Sequence, residues 1–574
     1  MPKTWKLKSQ PQESDVEKYP NTHPALAGLL WQRGVEPGQT EQFLHPKYEA
    51  QYDPFLFVDM QKSVERVWQA IEHGEKIAIY GDYDADAVTA NAVLQQTFRY
   101  VGVEVASYIP DRFAEGYGLN IEAFEKIKAN GASLVITVDC GTNSCDVTDW
   151  CVQNGIDLII TDHHEITAGL PNSFGLINPK NPNDKYPDPQ ITGVGVAYKL
   201  AKAILSQKSR VIKLKGIPES EYNPTWDKWL LDLVAIGTVA DCHSLLGENR
   251  IFVKYGLMVL AKTRWPGLRA LLNSALGGKE VELTTHTLGW LLAPRINAAG
   301  RLEHANIALD TLLEADIVKA SACAQALESV NLRRQDLTAR LISEARLQAV
   351  LQAGRKMLVL DSPDWPKGIV GIAAGRLVHE FGKPAIVLER GELECTGSAR
   401  TFGNFNVVEA LKATSGHLTK FGGHKEAAGL TLATKNLESF KYDLEKYADS
   451  IITADASDEV VLDIDSELAP EQLSLDFFDI LEELSPFGAG NAKPIFWIKN
   501  AIITTARKVG AEGQHVQFTF SIGNETTQAI AFNLGNLLDS FVSGSKVDIA
   551  VELMADAWNG VRRLKLRVLD IKLC

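Results

Sequence analysis

Apolar runs that break off into acidic turns organise the first third of this chain. Lys76–Tyr80, Leu134–Val138 and Asp157–Ile160 are rich in β-branched residues. Each leads into a polar turn: Gly81-Asp82-Tyr83-Asp84-Ala85-Asp86, Asp139-Cys140-Gly141, and Thr161-Asp162-His163-His164. Continuous apolar runs bounded by turns read as parallel strands buried on both faces. Helical periodicity separates them, predicting helices over 62–73, 86–100, 120–130 and 144–154, and strands near 76–81, 103–108, 133–139 and 157–162. This alternation predicts an α/β domain built on a doubly wound parallel sheet. The carboxyl ends of such strands share one edge, the edge at which ligands bind. A further helical stretch, Leu230–Ala240, delivers Asp241.

Residues 1 to about 60 are mixed and punctuated by Pro, with an amphipathic stretch at Leu26–Trp31, and Asn178–Asn183 reads as a loop. Arg301–Ala353 contains neither Gly nor Pro, and Ala315–Gln352 predicts one long helix or a bent pair acting as a strut. A second α/β unit begins near Lys356, with strands at Met357–Leu360, Ala385–Leu388 and Ala427–Leu432. It carries three Gly-centred segments read as loops: Lys367–Gly371, Thr396–Arg400 and Phe421–His424. After about Ser457 short strands take over, at 460–464, 495–503, 515–522, 529–532, 547–554 and 561–569, with Asn559-Gly560 as a hairpin turn. In the last strand Arg563, Lys565 and Arg567 alternate with Leu564, Leu566 and Val568, which puts the basic groups on one face. A small β-barrel with one basic face suits single-strand binding; an ordinary solvated sheet face is the competing reading.

Length narrows the picture further, since 574 residues exceed one ordinary core and suggest several domains. No apolar stretch approaches the roughly 20 residues of a membrane span. The N-terminus lacks an apolar signal core, and seven scattered cysteines argue against a disulfide framework, so a cytoplasmic protein is expected. The net charge of −14 disfavours broad nonspecific nucleic-acid binding without excluding a local basic groove.

The acidic strand ends carry the chemistry. Asp82, Asp84 and Asp86 alternate where a strand runs out, and Asp139, Asp162, His163 and His164 arrive at the same edge from neighbouring strands. Gathering these groups costs repulsion that cations offset. Carboxylates with one or two imidazoles suit manganese or magnesium better than structural zinc, and more than four acidic ligands suggest two ions. Helix capping is the plain reading for a lone aspartate, with Asp86 the candidate here, but it does not call for the whole set. Cys140, Cys145 and Cys151 near the histidines match no common zinc spacing. In the second unit Ser398, Arg400 and His424 join Gly-rich backbone as donors for a phosphate, with Arg295 and Arg301 adding cations ahead of the strut.

These segments resemble the DHH phosphoesterase superfamily. Asp82–Asp86, Val138–Gly141, Asp162-His163-His164 and Gly237–Asp241 match its DHH motifs; Gly397–Arg400 and Gly422-Gly423-His424 look like its DHHA1 domain. Arg112–Leu119, Gly193–Ala197, Pro294–Arg301 and Trp365–Leu377 narrow the resemblance to the RecJ family of single-strand-specific exonucleases, over nearly the whole chain. The resemblance implies an N-terminal segment, 1–60, packing on a DHH catalytic domain, 61–300. A connecting helix, 301–355, a smaller α/β DHHA1 domain, 356–456, and an OB-fold nucleic-acid-binding domain, 457–574, would follow. It implies a metal-dependent 5′→3′ exonuclease that releases 5′-mononucleotides from single-stranded DNA in repair and recombination. Asp82, Asp84, Asp86, Asp139, His163 and Asp241 would hold Mn2+ or Mg2+, His164 would contact the scissile phosphate or its leaving oxygen, and Asp162 would orient the histidines. Arg301, Ser398, Arg400 and His424 would hold the 5′ end, and Arg563, Lys565 and Arg567 would contact DNA. A monomer is expected, with a single-strand-binding protein and a helicase as candidate partners. Departures from the family pattern are Ala87, Cys242-His243-Ser244 and Thr401-Phe402-Gly403. The competing readings are a DHH phosphodiesterase acting on short oligonucleotides, RNA or cyclic dinucleotides, and a noncatalytic relative that keeps only the fold.

Overall fold

The computed structural model describes residues 3–116, 118–452, 461–535, 538, 541–558 and 561–574. Tyr117 of the Arg112–Leu119 motif, Val460 and the expected Asn559-Gly560 turn lie outside them. The chain forms two units, one of residues 54–241 and 256–458, the other of residues 1–53, 242–255 and 459–574.

The larger unit opens with helix α1 (Met60–His73) and then alternates: β1 (Lys76–Gly81), α2 (Ala85–Val101), β2 (Ala106–Tyr108), α3 (Ile121–Ala129), β3 (Ala132–Val138), α4 (Cys145–Gln153), β4 (Asp157–Thr161) and β5 (Gly175–Ile177). The five strands form one parallel sheet in the order β2-β1-β3-β4-β5. Ile77, Ile79, Leu134, Ile136, Ile159 and Ile160 are buried, as expected for strands covered on both faces. Strand β5 was not anticipated, because three residues carry too little pattern to read. Helices α5 (Gly193–Leu205) and α6 (Leu231–Ala240) belong to the same lobe, and α7 (Ala293–Leu302) comes later in the chain.

The strut is a single helix, α8 (Ile317–Leu351), which decides between the two expected forms. At 1.5 Å per residue it is about 50 Å long. Asp316 caps it, its Oδ1 accepting from Val318 N and Lys319 N at 3.0 and 2.9 Å.

The second lobe contains β6 (Leu358–Ser362), α9 (Val370–Phe381), β7 (Ala385–Arg390), β8 (Glu394–Arg400), β9 (Leu418–Gly423) and β10 (Ala427–Ala433), in sheet order β9-β10-β8-β7-β6. Two of the three expected Gly loops are therefore corrected: Thr396–Arg400 lies in β8 and Phe421–Gly423 in β9. Gly397 keeps this site small for a packing reason, since a Cβ there would sit 2.5 Å from Leu388 Cδ2 and 2.6 Å from Val387 O on the neighbouring strand. Only the Lys367–Gly371 segment is a loop, and it runs into α9.

In the smaller unit, β11 (Phe496–Val509), β12 (His515–Ile522), β13 (Glu525–Ala531), β14 (Lys546–Trp558) and β15 (Val561–Leu573) close a barrel through pairing of β11 with β14. Residues of β12 alternate between buried and half-buried along its length. Part of the N-terminal segment, expected on the DHH domain, shares the barrel's core, while its end packs on the first lobe, Phe57 stacking on Tyr186 with ring centroids 3.8 Å apart. Its Pro24–Gln32 helix places Leu26, Leu29 and Leu30 in one cluster with Phe477, Phe496 and Phe518, so the amphipathic stretch finds its apolar partners there. Residues 461–464 likewise lie outside the barrel, pairing in parallel with Thr4–Leu7. No helix among the described residues is long and apolar enough to cross a membrane.

Candidate active site

Three strand ends and one helix end of the larger unit bring the acidic groups together. Asp82 follows β1, Asp139 follows β3, Asp162 and His163 follow β4, and Asp241 follows α6. His163 Nε2 is the hub: Asp139 Oδ1 lies 3.1 Å away, Asp241 Oδ2 3.7 Å and Asp86 Oδ2 4.0 Å. Asp139 has the left-handed φ of +59°, a strained conformation for a non-Gly residue.

Asp84 and Asp86 divide the work expected of the first motif. The cap of α2 is Asp84, whose Oδ1 accepts from Asp86 N and Ala87 N at 3.0 and 3.1 Å, so the suggestion that Asp86 is the cap is corrected. Asp86 is buried, and its two oxygens accept from Gly193 N at 2.9 Å and Val194 N at 3.0 Å. Ala87 lies inside α2, so the missing Gly brings no left-handed strain. The adjacent glycines make room: a Cβ on Gly193 would sit 2.5 Å from Asp139 Oδ1, and one on Gly237 2.8 Å from Asp86 Oδ1.

The electrostatics of the cluster are lopsided. Burial, then the Asp84 charge, pushes the Asp82 carboxyl up to about 8. Burial and Asp84 likewise push Asp241 to about 7, and burial with neighbouring carboxylates raises Asp86 and Asp139 well above the usual range. Oδ1 of Asp82 and Oδ1 of Asp139 are buried without a hydrogen bond. Carboxylates held this way attract a cation, and Asp139 and His163 offer ligand atoms close enough to share one.

Asp162 behaves differently. Its Oδ1 accepts from His163 N at 2.7 Å, His164 N at 3.2 Å and His164 Nδ1 at 2.7 Å, and its Oδ2 accepts from Thr142 N at 2.9 Å. Burial alone would raise this carboxyl, but the His164 bond and charge hold it far below its ordinary value. His164 responds in turn: burial pulls it down, yet Asp162 prevails and lifts it to about 9.

The second-lobe residues meet the end of α7. Arg301 Nη1 donates to Gly368 O at 3.3 Å, and Arg400 Nη1 donates to Ser398 Oγ at 2.7 Å. A Cβ on Gly371 would lie 3.1 Å from Ser398 Oγ and 3.2 Å from Arg400 Nη2, so the start of α9 closes over this pair. His424 is not joined to them: it is exposed in the β9–β10 hairpin, where its backbone pairs with Ala427. In the barrel, Lys565 Nζ meets Asp556 Oδ2 and Arg567 Nη1 meets Glu552 Oε2, both at 3.1 Å, so the basic stripe is partly neutralised from β14. Arg563 is exposed opposite Asp556.

Sequence reasoning passed over four contributors. Arg112 stands 4.7 Å over the Tyr83 ring, and its charge acts on Asp82. Asn297 Oδ1 accepts from Ala85 N at 2.8 Å, tying α7 to the first acidic motif. Asn178 Nδ2 donates to Thr142 Oγ1 and to His164 O at 2.9 and 3.0 Å, fixing the histidine segment. The fourth is the backbone of Gly193-Val194, which holds Asp86. Three of these fall in motifs that marked the resemblance; Asn178 sat unrecognised in a Pro-rich loop.

Family models match three segments: the DHH family N-terminal domain over residues 76–238, the DHHA1 domain over 354–450, and the RecJ OB domain over 464–570. The chain is 38% identical over 555 residues to the single-stranded-DNA-specific exonuclease RecJ of Bacillus subtilis, covering 95% of this chain and 68% of that protein. It is 33% identical to the protein of that name from Dickeya dadantii, with 96% of each chain covered. A solved structure of RecJ from Thermus thermophilus in complex with Mn2+ superposes with a TM-score of 0.81 at 28% identity, covering 99% of this chain and 79% of that one.

Proposed function

Because the chain belongs to the RecJ family, it is a single-stranded-DNA-specific exonuclease, and we propose that it degrades DNA in the 5′→3′ direction, releasing 5′-mononucleotides. The observation that carries this reading is the convergence of Asp86, Asp139 and Asp241 on His163 Nε2, with Arg301 bonded to Gly368 O and Arg400 to Ser398 Oγ at the second lobe. The buried, unbonded oxygens of Asp82 and Asp139 fit Mn2+ or Mg2+, the ions held in solved RecJ structures.

When bound, such ions supply an activated water and neutralise charge on the phosphate. The chain's own residues do the rest. Asp82, Asp86, Asp139, His163 and Asp241 would hold the ions, Gly193 and Val194 fix the angle of Asp86, and Asp84 caps the helix between them. Asp162 keeps His164 protonated and oriented through Nδ1, so that Nε2–H serves as the ring's second donor, toward the scissile phosphate or its leaving oxygen. Arg301, Arg400 and Ser398, with Arg112 beside Tyr83, hold the 5′ end and so set which bond reaches the metals. The barrel guides the strand further along through Arg563 and its neighbours. A role in repair and recombination, in the cytoplasm and alongside a single-strand-binding protein or a helicase, follows the same reading; the free state of all seven cysteines supports the compartment.

Polarity is tested with single strands labelled at either end, incubated with Mn2+ and resolved over time. Early release of labelled mononucleotide from the 5′-labelled strand supports the proposal. Early release from the 3′-labelled strand, or internal cuts, overturns it.

A further inference from the structure

We propose that Trp290, just ahead of α7, is a stacking platform that holds a base of the incoming single strand beside the metal cage. The inference rests on single-stranded DNA being the substrate and names a strand-binding contact for it.

Residues Thr287–Leu292 form a π-helix that runs straight into α7. Pro294 accounts for the widened turn. In a regular α-helix its ring would crowd the carbonyl four residues back, that of Trp290, and it has no N–H to offer in exchange. Widened turns of this kind are rare and recur at functional sites. This one is held rigidly: Thr287, Leu288, Leu292 and Ala293 are buried, and Arg295 Nη1 donates to Leu291 O at 2.7 Å. Two contacts fix its place against the cage. Gly289 lies against α6, where a Cβ would come within 3.1 Å of Val239 Cγ1, two residues before Asp241. Further on, Asn297 Oδ1 accepts from Ala85 N in the first acidic motif. The segment carrying Trp290 is thus tied to two of the elements that supply the cage's carboxylates.

Trp290 faces solvent. It is 74% exposed, and among the described side chains no other tryptophan is exposed. His286, four residues back and exposed too, lies with its ring nearly parallel, 17° between planes and 6.2 Å between centroids. Scattered aliphatic residues on a surface are ordinary, but a nearly bare tryptophan forgoes burial of a ring surface of roughly 150–250 Å². A ligand with a flat apolar face recovers that burial. The unpaired bases of a single strand supply such faces whatever the sequence, and the strand's path to the cage brings them to this segment. A protein partner seated here would cover an approach that the substrate needs. In a duplex the same base faces are already stacked on one another, so the contact also favours single strands.

The test compares kcat and KM on single strands for wild type, Trp290→Ala and Trp290→Phe, with melting curves to verify folding. Loss of one stacked base predicts a drop in kcat/KM of about 5- to 100-fold for Trp290→Ala, carried by KM, and Trp290→Phe should recover most of it. A single abasic nucleotide stepped along the strand should slow wild type at one offset from the cleaved end, and Trp290→Ala should be indifferent at that offset. An unchanged KM in Trp290→Ala, or abasic penalties that match in both proteins at every offset, overturns the proposal. A second arm needs no turnover: oligothymidylate should quench part of the tryptophan fluorescence of Asp139→Ala, and adding Trp290→Phe should remove that part. Equal quenching with and without Trp290 also overturns it. Absent cleavage by wild type would instead count against the nuclease reading, leaving the quenching arm to decide the role of Trp290.

Discussion

Nδ1 of His164 lies 2.7 Å from Oδ1 of Asp162, a carboxylate that also accepts three backbone N–H bonds. The pair stores charge opposite to the rest of the cavity: a carboxylate held ionised and an imidazole held protonated. The folded pKa of His164, about 9, exceeds the unfolded value of about 6.5. Its contribution to stability is therefore complete below about 6.5 and disappears as pH rises through about 9. Asp162 contributes in the other direction, above its ordinary range, and loses that contribution only in strong acid. Asp162→Asn should drop the His164 pKa to 6.5 or below in the metal-free protein, read by NMR titration of the ring, and lower the rate about 100-fold. A ring pKa that stays near 9 would remove Asp162 from this role.

Protons and metal should compete for the same cage. Asp82 and Asp241 are pushed up to about 8 and 7, and Asp86 and Asp139 are raised well above the usual range, because burial and mutual repulsion favour their neutral forms. Folded values raised above the unfolded 3.8 stabilise at low pH, and that stabilisation is lost as pH climbs through 7 to 8 and beyond. The metal-free protein should melt at a lower temperature at pH 8 than at pH 6, and Mn2+ should reverse the order. Calorimetry in buffers of different ionisation enthalpy should detect proton release when Mn2+ binds near pH 6.5.

Gly193 touches the cage without offering a ligand. Gly193→Ala would push a methyl carbon to within 2.5 Å of Asp139 Oδ1. Crowding of this kind costs about 1–3 kcal/mol. Weaker Mn2+ binding with the secondary structure intact is the expected result, measured by metal titration beside circular dichroism. Wild-type affinity would mean that Asp139 moves freely.

On the barrel, acidic neighbours restrain the basic stripe. Glu552→Gln with Asp556→Asn should release Arg567 and Lys565, tighten binding of a long single strand about 2- to 5-fold at low salt and steepen its salt dependence. Unchanged affinity in a salt titration would show that the strand does not cross this face.

Much of this was legible beforehand because strand ends carry their chemistry in consecutive letters. Asp82, Asp139, Asp162 and His163 stand directly after apolar runs that could only be buried strands, and the 35-residue strut is visible as a stretch without Gly or Pro. The unread parts depend on distant partners. Nothing near Leu26–Trp31 says that its apolar face meets a barrel more than 400 residues away, and β8 hid behind Gly397, a residue chosen for close packing against β7 rather than for a turn. Asn178, Asn297 and Arg112 act through one or two bonds or a ring contact, and no periodicity advertises such roles.

The central claim is that Asp82, Asp86, Asp139, His163 and Asp241 enclose a pair of divalent ions. Electron paramagnetic resonance of the protein titrated with Mn2+ tests it most directly. Two ions about 3.5–4 Å apart should give an exchange-coupled dimanganese spectrum that Asp139→Ala abolishes. Isolated Mn2+ signals at every loading, or a coupled spectrum unaffected by Asp139→Ala, would contradict the account.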